Sequence, residues 1–191
     1  MEEKQIFREE EDLLGKKDIP SNALFGINAE RAIENFHISG HNMSQYPDLI
    51  KGFAIIKKSA AQANNALNLL SKEKLDAIVK VCDELYDGKL ADQFPIDMIQ
   101  GGAGTSCNMC ANEVIANRAL QIMGKKLGDY HFCDPHDDVN RSQSTNDAYP
   151  SACKIGIYLA NLNLEKSLEN LIESFNKKKE QFKSIIKIGR I

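Results

Sequence analysis

Apolar residues recur at three- and four-residue steps along three stretches of the chain, and each such rhythm predicts a helix. In the first, Pro47 to Leu70, the apolar positions are Leu49, Ile50, Phe53, Ile56, Ala60, Ala63 and Leu67, with Lys51, Lys57 and Lys58 between them. In the second, Lys72 to Tyr86, Leu75, Ile78, Val79, Cys82 and Leu85 share one face. Ser71 stands at its N-cap, Glu73 in its first turn and Gly88 just past its end, which are ordinary start and stop signals. The third is the longest, from about Tyr149 to Phe182, where Ile157, Leu164, Leu168, Leu171, Phe175, Phe182 and Ile185 keep the step. Pro150 suits the first turn of that helix, where its missing N–H would have no partner. Ile155, Leu159 and Leu162 add a second apolar side near its start, and Lys177–Lys179 make a solvated face. A helix apolar on two sides needs neighbours on two sides, so this one belongs in a bundle. The helices upstream are too few to cover it, which points to partners from missing sequence, from other subunits, or from both.

Between these stretches the period fades. Glu9 to Gly40 carries Gly15, Pro20, Gly26 and Gly40 among scattered apolar residues (Leu13, Leu14, Leu24, Phe25, Ile33, Phe36), so it reads as irregular or briefly extended. Leu90 to Gln100 and Gly124 to Pro135 read as loops. Two polar stretches hold the candidate chemistry. Gly101-Gly-Ala-Gly104 opens into a helix near Ser106 on which Asn108 and Asn112, then Glu113 and Asn117, fall four apart as a polar face. Asp137 to Pro150 offers Asn140, Ser142, Gln143, Ser144, Thr145 and Asn146 ahead of the long helix. Neutral donors and free N–H groups at a helix N-terminus hold a carboxylate or phosphate without any lysine. Each of these residues taken singly is also an ordinary cap or turn former.

Composition narrows the classes. The chain has 191 residues, 42% hydrophobic and 27% charged, with a net charge of -3. That is globular composition with no electrostatic case for nucleic acid. No apolar run is long enough to span a bilayer, and the acidic start, Met1 to Asp12, is unlike a secretory signal. Five cysteines without scaffold spacing fit reduced thiols in a cytoplasmic protein. The four histidines, His37, His41, His131 and His136, are scattered through loops and read as surface or hydrogen-bonded residues.

The two polar stretches, in this order, resemble the aspartase/fumarase superfamily. Gly104-Thr-Ser-Cys-Asn-Met-Cys-Ala-Asn-Glu-Val-Ile-Ala-Asn-Arg118 is similar to its first signature region, and Asp138-Val-Asn-Arg-Ser-Gln-Ser-Thr-Asn-Asp147 to its second substrate loop. Glu11-Asp-Leu-Leu-Gly15, Ala23-Leu-Phe-Gly26 and Arg31 to Gly40 match its N-terminal domain. The resemblance implies a mainly α fold: an N-terminal domain over residues 1–146 and the first long helix of a central helical bundle, incomplete here, over 147–191. It implies removal of a proton beside a carboxylate, then loss of an amine or water through an aci-carboxylate, with no organic cofactor and no metal. Preorganised donors suit that developing charge. By motif position, Thr105, Ser106, Ser144, Thr145 and Asn146 would contact a small dicarboxylate substrate. Within the superfamily, Ser144-Thr-Asn-Asp-Ala-Tyr-Pro150 looks more like aspartate ammonia-lyases than class II fumarases, which usually have serine at the position of Thr145 and Thr-Phe at Ala148-Tyr149.

Some positions depart from the family. Cys110 stands where asparagine is usual, and so does His136. Asp134, His136 and Asp137 match the region of a secondary dicarboxylate site in fumarases, and the charge of Asp134 argues against that site. Family members continue past the Lys187–Arg190 motif with Thr-His, whereas the sequence here ends at Ile191. The Gly-Ser-Ser-x-Met-Pro-x-Lys-x-Asn loop that bears the family's serine base has no match. The expectation is therefore an N-terminal portion, with no catalytic residue of its own and inactive alone, of an enzyme that the resemblance makes a homotetramer. Other readings stay open. They are a class II fumarase, a non-catalytic interaction module built on the exposed helix, and a zinc or redox site from Cys107 and Cys110 with His131 and Cys133.

Overall fold

The segment without a helical period folds into a hairpin and a helix. In a computed structural model of the chain, which describes residues 6–189, strand β1 (Phe7–Asp12) pairs antiparallel with β2 (Gly15–Pro20). Opposite charges face each other along it, Glu10 against Lys17 and Glu11 against Lys16. Only Glu10 and Ile19 are buried, so almost no apolar alternation marks these strands in the sequence. Leu13 and Leu14 lie exposed at the turn, closed by Gly15 at a φ of 109°. Helix α1 (Ile27–Asn35) follows, burying Ile27, Ala29 and Ala32. The first residues of the acidic start and the end of the Lys187–Arg190 motif lie outside the described residues.

Helix α2 (Pro47–Ala66) starts at its proline as expected. Its buried face is rotated from the predicted one in the second half. Lys57, Ala61 and Asn64 are inside, while Ala63 and Leu67 are exposed. A stripe read only from apolar residues cannot follow a seam that contains a lysine and an asparagine. Helix α3 (Lys72–Tyr86) is capped by Ser71, whose Oγ accepts from the Lys74 N–H at 3.4 Å. Gly88, at a φ of 81°, ends it.

Helix α4 (Thr105–Ile122) is the centre of the core. It packs against α1, α2 and α3, and Asn108, Asn112, Glu113 and Asn117 are as buried as Val114 and Ile115. The expected polar face is thus an inner face, and its groups bond to distant backbone. Asn117 Nδ2 donates to the Leu24 carbonyl at 2.8 Å, and its Oδ1 accepts from the Gly128 N–H at 2.8 Å. A π-helical turn, Pro135–Val139, leads to the second polar stretch.

The last helix, α5, runs from Thr145 to Phe182 and so begins before Tyr149. Ser144 explains the early start. Its Oγ accepts from the Asn146 N–H at 3.1 Å, and its own N–H donates to Asp147 Oδ1 at 3.2 Å, a reciprocal cap. Pro150 consequently lies inside the helix, not at its first position. The first turns of α5 rest directly on α2. A Cβ on Gly52 would come within 2.3 Å of the Ala152 carbonyl oxygen, and one on Gly156 within 3.0 Å of Leu49 Cα.

The chain divides into two compact units, up to Gly156 and from Ile157 onward. The first is mainly helical with one two-stranded sheet. In the second, the helix continues to Phe182, and Ile157, Leu164, Leu168, Leu171, Phe175 and Phe182 are all exposed. The predicted apolar stripe is there, and none of that unit's described residues covers it.

Candidate functional site

The two polar stretches meet as two helix N-termini. Thr105 and Ser106 form the first turn of α4, just after Gly104 at a φ of 86°, and Thr145 and Asn146 form the first turn of α5. Tyr149, one turn into α5, lays its ring over Gly104 so closely that a Cβ there would fall 2.3 Å from the ring carbons. Glycine is required twice at that position, for the left-handed backbone and for the ring. Asn108, one turn into α4, donates from Nδ2 to Thr145 Oγ1 at 3.1 Å. The structure therefore brings the Thr105–Ser106 turn and the Ser144–Asn146 turn together. Thr105, Ser144 and Asn146 are exposed there, and Ser106 and Thr145 half-buried. The first turns of α4 and α5, with the positive ends of their helix dipoles, are thus neighbours, although the Asn146 N–H is already taken by Ser144 Oγ.

Beneath these turns lies a buried amide network around Lys57. This lysine is fully buried, and its Nζ donates to Asn108 Oδ1 at 2.8 Å, Asn140 Oδ1 at 2.9 Å and Gln143 Oε1 at 3.0 Å. Burial pushes its pKa down to about 7, partly offset by Cys82 and Asp147. Asn140 Oδ1 also accepts from Asn108 Nδ2 at 3.0 Å and Asn112 Nδ2 at 3.2 Å. Gln143 Nε2 donates to the Val139 and Arg141 carbonyls, which fixes the loop leading into α5. Lys57 is set by the apolar spacing only between the apolar positions of α2, and that spacing does not reveal this role. Its four-residue spacing from Phe53 and from Ala61, on the seam that also holds Asn64, was the available clue.

The remaining candidates fall elsewhere. Asp134 Oδ1 accepts from the His136 and Asp137 N–H groups, so it caps the π-helical turn, with His136 and Asp137 exposed beside it. Cys107 is clamped by Gln100, which accepts from its N–H at 3.0 Å and donates to its sulfur at 2.8 Å. Burial pushes the Cys107 thiol up to about 11, Cys133 up to about 12 and Cys110 well above its ordinary value. Burial disfavours the thiolates that a zinc site needs, and His131 is exposed beside the Phe132 ring. Among the described residues, no three His, Cys, Asp or Glu side chains come together as metal ligands would.

A protein-family model described as Lyase matches residues 15–191. The chain belongs to that lyase family. Among curated relatives of this lyase chain, an aspartate ammonia-lyase of Helicobacter pylori strain J99 is 51% identical over 183 residues, covering 96% of the chain and 39% of the relative. A solved structure from Brucella melitensis, described as fumarate lyase:delta crystallin, superposes with a TM-score of 0.95 at 48% identity, covering 97% of the chain and 43% of that protein. A class II fumarase of Schistosoma mansoni superposes with a TM-score of 0.88 at 34% identity, covering 97% and 39%. The lyase chain thus spans about two fifths of the length of the curated relatives it matches. Among its described residues, no helix is long and apolar enough to cross a membrane.

Proposed function

We propose that this lyase chain carries one part of the substrate site of an aspartate ammonia-lyase, which eliminates ammonia from L-aspartate to leave fumarate through an aci-carboxylate intermediate. Thr105, Ser106, Ser144, Thr145 and Asn146 hold the dicarboxylate at the paired N-termini of α4 and α5. The observation that carries this reading is the convergence of the two first turns, fixed by the Asn108–Thr145 bond and by Tyr149 on Gly104. Hydroxyls and N–H groups aimed at one region stabilise carboxylate charge as it grows, and one such donor is typically worth ~3 kcal/mol in the transition state.

Aspartate is preferred to malate as substrate because Thr145, Ala148 and Tyr149 follow the ammonia-lyase pattern. The higher identity to the Helicobacter pylori ammonia-lyase than to the Schistosoma mansoni fumarase supports the same choice. In this reading residues 1–146 form the N-terminal domain and 147–191 open the central bundle, which in the family assembles as a homotetramer. The 191 residues contain no match to the family's serine loop, so the chain by itself releases no fumarate from aspartate.

The test is a titration of fumarate, aspartate and malate into the isotopically labelled chain, followed by nuclear magnetic resonance. Fumarate and aspartate shift the backbone signals of residues 105–106 and 144–146 saturably. The reading is wrong if those signals ignore fumarate at every concentration, or if malate competes with fumarate better than aspartate does.

A further inference from the structure

Lys57 is fully buried in the first unit, and every hydrogen bond it makes ends on a side-chain amide oxygen. An ammonium has three donors and no acceptor, so each atom facing it must be an oxygen. This requirement sets the amides one after another. Asn108 must turn Oδ1 to the lysine, which leaves Nδ2 to donate to Asn140 and to Thr145 Oγ1. Asn140 must turn Oδ1 inward as well, and its Nδ2 then donates to the Gln143 carbonyl at 3.1 Å. With Asn140 Oδ1 fixed as an acceptor, Asn112 must offer Nδ2 to it, and Asn112 Oδ1 has no partner among the described residues. That orphaned oxygen is the local penalty of a network ordered from one cation.

The end of the chain of orientations is Thr145. Its Oγ1 accepts from Asn108, so its own hydroxyl proton is left to donate elsewhere. If the Asn108 amide were reversed, its oxygen would face Thr145 Oγ1 and draw that proton inward. We propose, on the functional reading above, that Lys57 is a positioning residue: its ammonium locks the Asn108 and Asn140 amides so that the Thr145 hydroxyl donates outward to a substrate carboxylate. Lys57 touches no substrate and acts through Asn108.

Deprotonation is the natural perturbation, because an amine keeps only two N–H donors for three oxygens. The ionisable groups that bear on Lys57 are Cys82 on α3 and Asp147 in the first turn of α5. Burial pushes the Cys82 thiol up to about 12, so it stays protonated while the lysine titrates.

The experiment has two arms on the 191-residue chain. In the first, the unsubstituted protein is titrated with base while the Lys57 side-chain carbon signal and the side-chain NH2 signals of asparagine and glutamine are followed. The NH2 signals of Asn108, Asn140 and Gln143 move with the same midpoint as Lys57. Those of Asn65, which donates to the Leu70 carbonyl away from the network, do not. A Lys57 transition that leaves Asn108 and Asn140 still overturns the lock.

In the second arm, fumarate is titrated into Lys57→Met and the unsubstituted chain below the Lys57 midpoint. The variant binds fumarate about tenfold more weakly, the effect of one misdirected hydrogen bond to a charged group. A folded Lys57→Met with unchanged affinity overturns the proposal, because an ordinary packing role would also leave binding untouched. Fumarate failing to bind the unsubstituted chain sinks the functional reading instead, and the amide titration still decides the lock. It decides it as well if Lys57→Met does not fold.

Discussion

Replacing Glu113 by glutamine should remove a pH dependence of stability that the native chain carries. Glu113 lies fully inside α4, and its carboxylate caps a different helix, α1. Oε2 accepts from the Gly26 and Ala29 N–H groups at 2.9 and 3.1 Å, and Oε1 from the Asn28 N–H and Nδ2 at 2.8 and 2.9 Å. Burial raises its pKa from 4.5 to about 7, although those donors pull it down. Between these values the folded protein keeps a proton that the unfolded chain has lost. Stability therefore falls as the pH rises through this window, by roughly 3 kcal/mol in all. In Glu113→Gln one oxygen becomes an NH2 group facing N–H donors, which costs about 1–3 kcal/mol relative to the protonated native acid and does not itself change with pH. The slope, however, disappears. The assay is urea unfolding by circular dichroism just above pH 4.5 and just above pH 7. The variant should be clearly weaker at the lower pH and close to the native protein at the higher one. An equal gap at both pH values would refute the reasoning, because the pH dependence would then come from other groups.

Three further substitutions test the packing around the site. Gly52→Ala places a methyl 2.3 Å from the Ala152 carbonyl oxygen, so α5 must lift from α2. Unfolding should show a loss of about 1–3 kcal/mol from overpacking. Gly104→Ala adds a clash with the Tyr149 ring to a left-handed backbone. It should lose ~2 kcal/mol or more and broaden the resonances of residues 105 and 145 together. Ser71→Ala deletes the α3 cap and should lower stability by ~1 kcal/mol while leaving fumarate binding unchanged.

Helices α2, α3 and α5 could be read from spacing because each sets an apolar stripe against a polar surface. Helix α4 was recognisable mainly by its Gly-rich entry, since burial on all sides leaves no contrast for a period to detect. The hairpin was hidden because its pairing rests on Glu and Lys side chains, and α1 because it is short and its cap is distant in sequence. The five site residues were visible as an excess of hydroxyls and amides before two helices. Lys57 was harder to see, because its importance lies in which atom of Asn108, Asn140 and Gln143 faces it, and such orientation exists only after α2, α4 and the 140–144 loop have met. The π-helical turn at Pro135–Val139 has no period of its own to read.

The capping of α1 by Glu113 also bears on the order in which the chain can fold during synthesis. Of the N–H groups at the start of α1, that of Ile27 goes to Glu10 in the hairpin, while those of Gly26, Asn28 and Ala29 go to a side chain 84 to 87 positions later. Leu24 waits on Asn117 in the same way. Until the ribosome has delivered α4, three N–H groups at the start of α1 lack their acceptor, and the hairpin and α1 can settle only on the small cluster of Ile19, Ala23 and Ile27. The N-terminal segment, although made first, is therefore among the last to dock. Such long-range closure is slow, since its ordering must precede the contacts that reward it. A nascent chain stalled before residue 113 should leave its first 35 residues open to protease, and one stalled well beyond residue 122 should shield them.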